Sequence, residues 1–291
     1  VLTLTTLEQW RDFATTQRTA GARIGLIPTM GALHDGHSAL IRAAVENGDV
    51  ALVTSFVNPL QFTNGADLAA YPMTPDDDAA RAARDGAAAL VTPSVAAMWP
   101  NYPNETPTVV HVRGVSERFE GEHRPGHFDG VATVVTKLFS ITGPCRAYFG
   151  EKDYQQVAVV RQLVRDLGLD VTIVVVPTVR DDHGLALSSR NRRLSPAGLE
   201  QAQSLSAGLR TAAVLAKLGR PASVLRGAMR ELMEVAGVVV SYAEVVDPDT
   251  LLPLTDDARG AARALVAGEV EGVRLIDNFA LEIGAVHAAG H

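Results

Sequence analysis

Between Arg23 and Val176 the chain alternates short, wholly apolar runs with longer stretches in which apolar residues recur every three or four positions. The first kind reads as buried strand and the second as amphipathic helix. Strands are predicted at "RIGLI" (23–27), "VALVTSFV" (50–57), "AAALVTP" (87–93), "TVVHV" (108–112), "RAYFG" (146–150) and "VTIVVV" (171–176). Helices are predicted at "DDDAARAARDG", "GVATVVTKLFSITG" and "DYQQVAVVRQLVRDLG". Such alternation predicts an α/β arrangement with right-handed crossovers, a parallel sheet covered by helices on both faces, and ligands bound beyond the carboxyl ends of its strands.

After "PTVRDDHGLALSSRNRRLSP" the pattern changes. Two alanine-rich helices, about 196–218 and 221–236, precede the strand-like runs "VVVSYAEVV", "RALVAGEV" and "VRLIDNFAL". Helices followed by strands describe a smaller α+β domain. The expected division is therefore 1–177 and 178–291.

Composition narrows the function. Apolar residues make up 47% and charged residues 20% of 291, which marks an ordinary globular protein. A net charge of −7 argues against a general nucleic-acid surface and leaves small molecules as the expected partners. The single cysteine, Cys145, excludes an intramolecular disulfide and suits a reducing compartment; packing is the favoured reading of its thiol over nucleophilic chemistry. The N-terminal "VLTLTTLEQWRDF" lacks a basic region followed by a long apolar run, and "VTIVVVP" is too short to span a bilayer. No membrane association and a cytoplasmic location are expected. The chain has three lysines against 23 arginines, so Lys152, set among other polar turn residues, stands out.

Five segments carry candidate chemistry. "PTMGALHDGH" (28–37) joins a strand to a helix expected to begin at His37, and its Gly36 lets backbone approach a ligand at a helix N-terminus. His34 and His37 can donate to phosphate oxygens; a pair of satisfied core or surface histidines is the plainer alternative, and no Cys or Glu nearby completes a metal set. "FGEKDYQQ" (149–156) offers Gly150 for a turn, Lys152 for a phosphate and Asp153 for ribose hydroxyls, or else a solvated helix start. "GLALSSRNRRLS" (184–195) offers two hydroxyls and Arg190 to a polyphosphate, or a capping serine and a solvated basic face. Its Gly184 and polar make-up predict a loop with little to bury before a phosphate arrives. In "FVNPLQF" (56–62), a carboxamide between aromatics suits a small hydroxylated substrate, oriented by Gln61 beside Phe62; core packing explains the phenylalanines equally well. "TPDDD" is most simply a helix start, with Asp77 or Asp78 as the alternative holder of a nucleotide's Mg²⁺.

In this order, "PTMGALHDGH", "FVNPLQF", "YPMT", "RPGHFDGVATVVTKL", "FGEKDYQQ", "PTVRDDHGLALSSRN" and "LIDNFALEIG" resemble the pantoate-β-alanine ligase family, over almost the whole chain. "HDGH" alone resembles only the wider HIGH-type nucleotidyltransferases. The resemblance implies a Rossmann-like domain, a C-terminal lid domain and a homodimer. It implies that ATP and (R)-pantoate form pantoyl adenylate and pyrophosphate, after which β-alanine displaces AMP to give pantothenate, with Mg²⁺ accompanying ATP.

Carried over to this chain, Pro28, Met30, Gly31, His34, Gly36 and His37 line the ATP site, with His37 as proton donor and His34 as a second phosphate contact. Gly150, Glu151, Lys152, Asp153, Val179, Leu187, Ser188, Ser189 and Arg190 complete it, and Lys152 and Arg190 join the histidines as catalytic residues. Gln61 and Gln156, with Asn58 and Phe62, hold pantoate and β-alanine. Two positions depart from the family pattern: Met73 stands where arginine is usual, and Leu187 where methionine is usual, the latter a volume-conserving change. A nucleotidyltransferase with a stable nucleotide-linked product and a nucleotide-binding regulator without turnover are the competing readings. "GEKDYQQ" with "FVNPLQF" opposes the first, and the full polar set opposes the second.

Overall fold

A computed structural model describes residues 1–63 and 65–284; the last seven residues of the expected 178–291 domain lie outside it. The chain forms two compact units, one of Val1–Glu151 with Gln155–Pro177, the other of Lys152–Tyr154 with Thr178 onward. Lys152–Tyr154 thus belongs by its contacts to the second unit, although it begins one residue beyond a strand of the first.

The first unit is built on a six-stranded sheet of β1 (Leu2–Leu4), β2 (Ile24–Thr29), β3 (Val50–Ser55), β4 (Ala89–Val91), β5 (Cys145–Gly150) and β6 (Val171–Val176), ordered β1-β4-β3-β2-β5-β6. Every pairing is parallel, as the alternating pattern predicts. Ile24, Leu26, Ile27, Leu52, Val53 and Leu90 are almost fully buried, which is why these strands read as continuous apolar runs. The order reverses between β2 and β5, so the turn after β2 and the turn after β5 leave the carboxyl ends of neighbouring strands. Open parallel sheets bind ligands at such a point.

Two details differ from the sequence reading. "TVVHV" is not a strand: Val110 N donates to Thr133 Oγ1 at 2.9 Å, so a side chain, not a ladder, takes its backbone. The short N-terminal β1 pairs with β4 at the sheet edge, and three residues are too few to show a periodicity.

The second unit packs helices Pro196–Lys217 and Ala222–Val235 on an antiparallel sheet of β7 (Val239–Val246), β8 (Gly260–Val270) and β9 (Val273–Ile283). Ser195 caps the first helix by accepting from Gly198 N at 3.1 Å, with Pro196 at the first helical position. Leu225, Met229 and Met233, four residues apart, form the buried stripe of the second. β8 and β9 pair along their full length, joined by Glu271 (φ 51°) and Gly272 (φ 74°), the left-handed pair that suits a two-residue hairpin. Among the described residues no helix is long and apolar enough to cross a membrane.

Candidate active site

In the first unit the site is built around the β2 turn. The helix there spans Asp35–Glu46, two residues earlier than the sequence suggests, because His34 serves as its N-cap. His34 Nδ1 accepts from Gly36 N at 3.1 Å, while His37 Nδ1 accepts from His34 N at 3.2 Å. An imidazole replaces the usual Ser or Asp cap on each side. Since both Nδ1 atoms accept, each neutral ring carries its proton on Nε2 and presents it as a donor. The rings lie 4.1 Å apart between centroids. A Cβ on residue 36 would stand 2.8 Å from His34 Cε1, so glycine is needed to seat the ring rather than only to admit a ligand. Arg81 binds Asp35 at 2.6 Å and holds its carboxyl below the usual range, offsetting a negative charge at a helix end suited to anions.

Asp78 has a task other than the metal binding considered for it. It is 2% exposed, and its carboxylate accepts from Ala32 N at 3.0 Å and Leu33 N at 2.7 Å. Asp77 is exposed on the first turn of the same helix, and among the described residues no group of three or more His, Cys, Asp or Glu is arranged to hold a metal. These residues do not fit a protein-held magnesium site: buried N–H groups take the one carboxylate and solvent surrounds the other. Gly31 (φ 81°) completes the turn, where a Cβ would meet Asp78 Oδ2 at 2.9 Å. Asp78→Ala is expected to cost about 3 kcal/mol, because two buried donors lose their acceptor; denaturant unfolding measures it.

"FVNPLQF" follows β3 as a turn of 3₁₀ helix, Pro59–Gln61. Asn58, 1% exposed, is held by protein partners: its Nδ2 donates to Gln61 Oε1 at 3.1 Å and Gly130 O at 3.0 Å, and its Oδ1 accepts from Trp99 Nε1 at 3.0 Å. Burial with these partners makes it the anchor of Gln61. Gln61 Nε2 reaches Met30 Sδ at 3.0 Å, joining this turn to the β2 turn. Phe62 packs edge-on against Tyr71 at 5.8 Å between centroids. Pro28 and Met30 are half-buried, and Gln156 is half-buried near the start of helix Tyr154–Leu167. Met73 is 77% exposed, so the arginine usual at that position is replaced by an apolar side chain in solvent.

Two residues of this unit escaped the sequence reading. His127 Nδ1 lies 2.9 Å from the Gln61 carbonyl and its Nε2 lies 3.1 Å from Arg124, so the "RPGH" spacing buttresses the Gln61 turn. Gln155, buried beside Gln156, ties Glu120 N, Val115 O and Arg118 O. Adjacent glutamines give no signal as to which faces inward. Cys145 is buried, and burial pushes its thiol up to about 12, in keeping with packing over reactivity.

In the second unit, Lys152, Ser188 and Arg190 line one cleft, with Asn191, Arg274 and Asp277. Lys152 Nζ is 3.7 Å from the Asp153 carboxylate, and Gly150 and Glu151 lead into that turn from β5. Val179 and Leu187 face each other across a hairpin, Leu187 N donating to Val179 O at 2.9 Å. Ser188 Oγ accepts from Arg190 N at 3.2 Å and caps the 3₁₀ turn Ser189–Arg193. This segment is not the sparsely packed loop its composition suggests: Leu185 and Ala186 are each 4% exposed, and Arg180 pairs with Ala186. Asn191, also missed, donates through Nδ2 to Ala186 O at 3.0 Å, and its Oδ1 is buried without a protein partner.

A parallel sheet with a histidine-capped helix at its switch point, joined in the same chain to a cleft lined by Lys, Ser and Arg, places the protein in the α/β class with side chains suited to anionic ligands. The pattern that defines the pantoate-beta-alanine ligases matches residues 2–280. Pantothenate synthetase of Mycolicibacterium smegmatis (strain ATCC 700084 / mc(2)155) is 51% identical over 92% of this chain and 83% of its own. That of Chelativorans sp. (strain BNC1) is 50% identical over 94% and 95%. The crystal structure of pantothenate synthetase from Thermus thermophilus superposes with a TM-score of 0.87 at 42% identity, over 96% of this chain and 99% of that one. Pantoate-beta-alanine ligase from Francisella tularensis, solved with beta-gamma ATP and beta-alanine, gives 0.78 at 34% identity, over 96% and 97%. The chain belongs to the pantoate-beta-alanine ligase family.

Proposed function

We propose that this protein condenses (R)-pantoate with β-alanine through a pantoyl adenylate, releasing pyrophosphate and then AMP. The observation that carries the reading is the pair of histidines that cap one helix N-terminus, each Nδ1 accepting from a backbone N–H, so that the proton of a neutral ring sits on Nε2. Such donors suit charge that develops on phosphate oxygens as pyrophosphate departs. The pantoate carboxylate is already a nucleophile, so its attack on the α-phosphorus needs no general base; positioning and charge compensation supply the catalysis.

In this reading His37 donates in the transition state and His34 assists. Lys152, Ser188, Ser189 and Arg190 bind the phosphates, and Asp153 the ribose. Val179 and Leu187 contact adenine, while Gln61 and Gln156 hold pantoate. Since Asp77 and Asp78 do not fit a protein-held site, any magnesium the reaction uses would come with ATP and would help offset phosphate charge. Residues 1–177 act as the nucleotide- and pantoate-binding domain and 178–291 as a lid. The protein works as a cytoplasmic homodimer; its single buried cysteine and small-molecule substrates suit that location.

The order of chemistry tests the reading. Pantoate and Mg-ATP without β-alanine are expected to support exchange of labelled pyrophosphate into ATP, and the complete reaction to release AMP and no ADP. ¹⁸O in the pantoate carboxylate is expected to appear in AMP. Release of ADP and phosphate without exchange would mark an acyl-phosphate ligase instead.

A further inference from the structure

Two consecutive residues of β9, Asp277 and Asn278, are buried polar groups with no place in the chemistry above, being 3% and 4% exposed. Their side chains reach different segments of the second unit, while Asn278 N donates to Asp277 Oδ1 at 2.8 Å. Asp277 forms a two-pronged pair with Arg180, at 2.6 and 2.8 Å. The same guanidinium donates to Gly184 O at 3.0 Å and lies 4.6 Å from the centre of the Phe279 ring. It therefore ties the first arm of the tight hairpin, at Arg180, to its turn, at Gly184, and the second arm leads without interruption into Ser188–Arg190. Asn278 Nδ2 donates to the backbone carbonyl of Lys152 at 2.9 Å, and its Oδ1 accepts from Arg263 at 3.0 Å. Arg263 also stacks 3.9 Å over Tyr154, whose hydroxyl donates to Pro248 O at 3.0 Å. The Lys152–Tyr154 turn is thus held from β9.

We propose that Asp277 and Asn278 are positioning residues, which set the Arg190 loop and the Lys152 turn respectively at a fixed spacing along one rigid strand. The inference rests on the reading of Lys152 and Arg190 as phosphate ligands. Its physical basis is that strands hold groups more tightly than loops do, and that a displacement of about 1 Å in a phosphate-binding cation costs on the order of 100-fold in rate. An asparagine in the Asn278 role is informative, since its amide meets a carbonyl on one side and a guanidinium on the other; neither Asp nor Leu satisfies both. The two-pronged pair is equally particular, because only a planar fork bonds both carboxylate oxygens and Gly184 O together.

The test is a mutant cycle read on the pyrophosphate-exchange half-reaction and on binding of a non-hydrolysable ATP analogue with magnesium. Asn278→Ala is expected to lower kcat/KM for ATP by about tenfold or more, with KM for pantoate within about twofold of wild type. In a Lys152→Ala background the same change is expected to alter analogue affinity by less than about twofold, because its effect runs through Lys152. Asp277→Asn is expected to cause a similar loss that persists in full in the Lys152→Ala background, because its effect runs through the other segment. Should Asp277→Asn fail to fold, Arg180→Lys, which keeps the charge and loses the fork, carries the same expectation.

Losses that are additive for Asn278→Ala, or folded Asn278 and Asp277 variants with wild-type ATP parameters, overturn the proposal. If Lys152→Ala and Arg190→Ala themselves handle ATP normally, the phosphate-ligand reading has failed. If those two variants lose ATP while Asn278→Ala and Asp277→Asn do not, only the positioning inference has.

Discussion

Replacing His37 with alanine is expected to slow adenylate formation by at least about 100-fold, the scale of losing one transition-state donor, with a much smaller change in ATP affinity. The geometry also supplies a control. His37 Nδ1 accepts from His34 N, so alanine removes half of a helix cap as well as the Nε2–H donor. Asparagine separates the two effects, since its Oδ1 can stand where Nδ1 stood while nothing reaches the position of Nε2. His37→Asn is therefore expected to melt near wild type and still lose the rate. Single-turnover measurement of adenylate formation with pantoate and Mg-ATP reads the step directly. Near-normal turnover in a folded His37→Asn enzyme would remove His37 from the mechanism.

The second large effect is expected at Lys152. Lys152→Ala should lose roughly 100- to 1,000-fold in the same half-reaction, as for removal of a charge aimed at departing phosphates. Lys152→Arg is the sharper experiment. The Lys152 side chain is 17% exposed and Nζ lies 3.7 Å from the half-exposed Asp153 carboxylate, a contact that by itself contributes little. If charge alone mattered, arginine would serve. A planar fork, however, presents its donors in a different geometry from a compact ammonium, so a loss of about tenfold or more is expected even with the charge retained. Equal rates for the arginine and wild-type enzymes would reduce Lys152 to generic positive charge on a turn.

The limits of the sequence reading are visible in particular side chains. Asp78 and Asp77 are neighbours in one acidic run, and nothing in "PDDD" distinguishes them. Only the packing of their helix against the β2 turn turns Asp78 toward Ala32 N and Leu33 N and leaves Asp77 in solvent. Asn58 and Gln61 both read as substrate contacts because a carboxamide among aromatics looks the same whether it binds a ligand or a neighbour. Trp99 and Gly130, 41 and 72 residues away, decide that Asn58 is an anchor. "DDHGLALSSRN" looks sparsely packed because its polar residues outnumber its apolar ones, yet Leu185 and Ala186 are buried and Arg180 finds its partner 97 residues on.

What the sequence by itself determined are the features with a local cause. Continuous apolar runs between amphipathic helices specify a parallel sheet buried on both faces, and the Ser-Pro start and four-residue apolar stripe specify the two long helices of the second unit. The histidine, lysine, serine and arginine types needed to compensate phosphate charge are likewise written at fixed positions in turns that follow strands. What only the tertiary structure decided is which polar groups line the cleft and the β2 turn and which hold those that do. His34 as helix cap, Asp78 as brace of the β2 turn, Asn58 as anchor of Gln61, and Asp277 and Asn278 as supports of two turns all depend on hydrogen-bond partners distant in sequence or on a backbone geometry that no residue type announces. The physical reason is that periodicity reports burial, which is a property of a single element. Hydrogen-bond satisfaction is a property of pairs, and its partners meet only when the chain has folded.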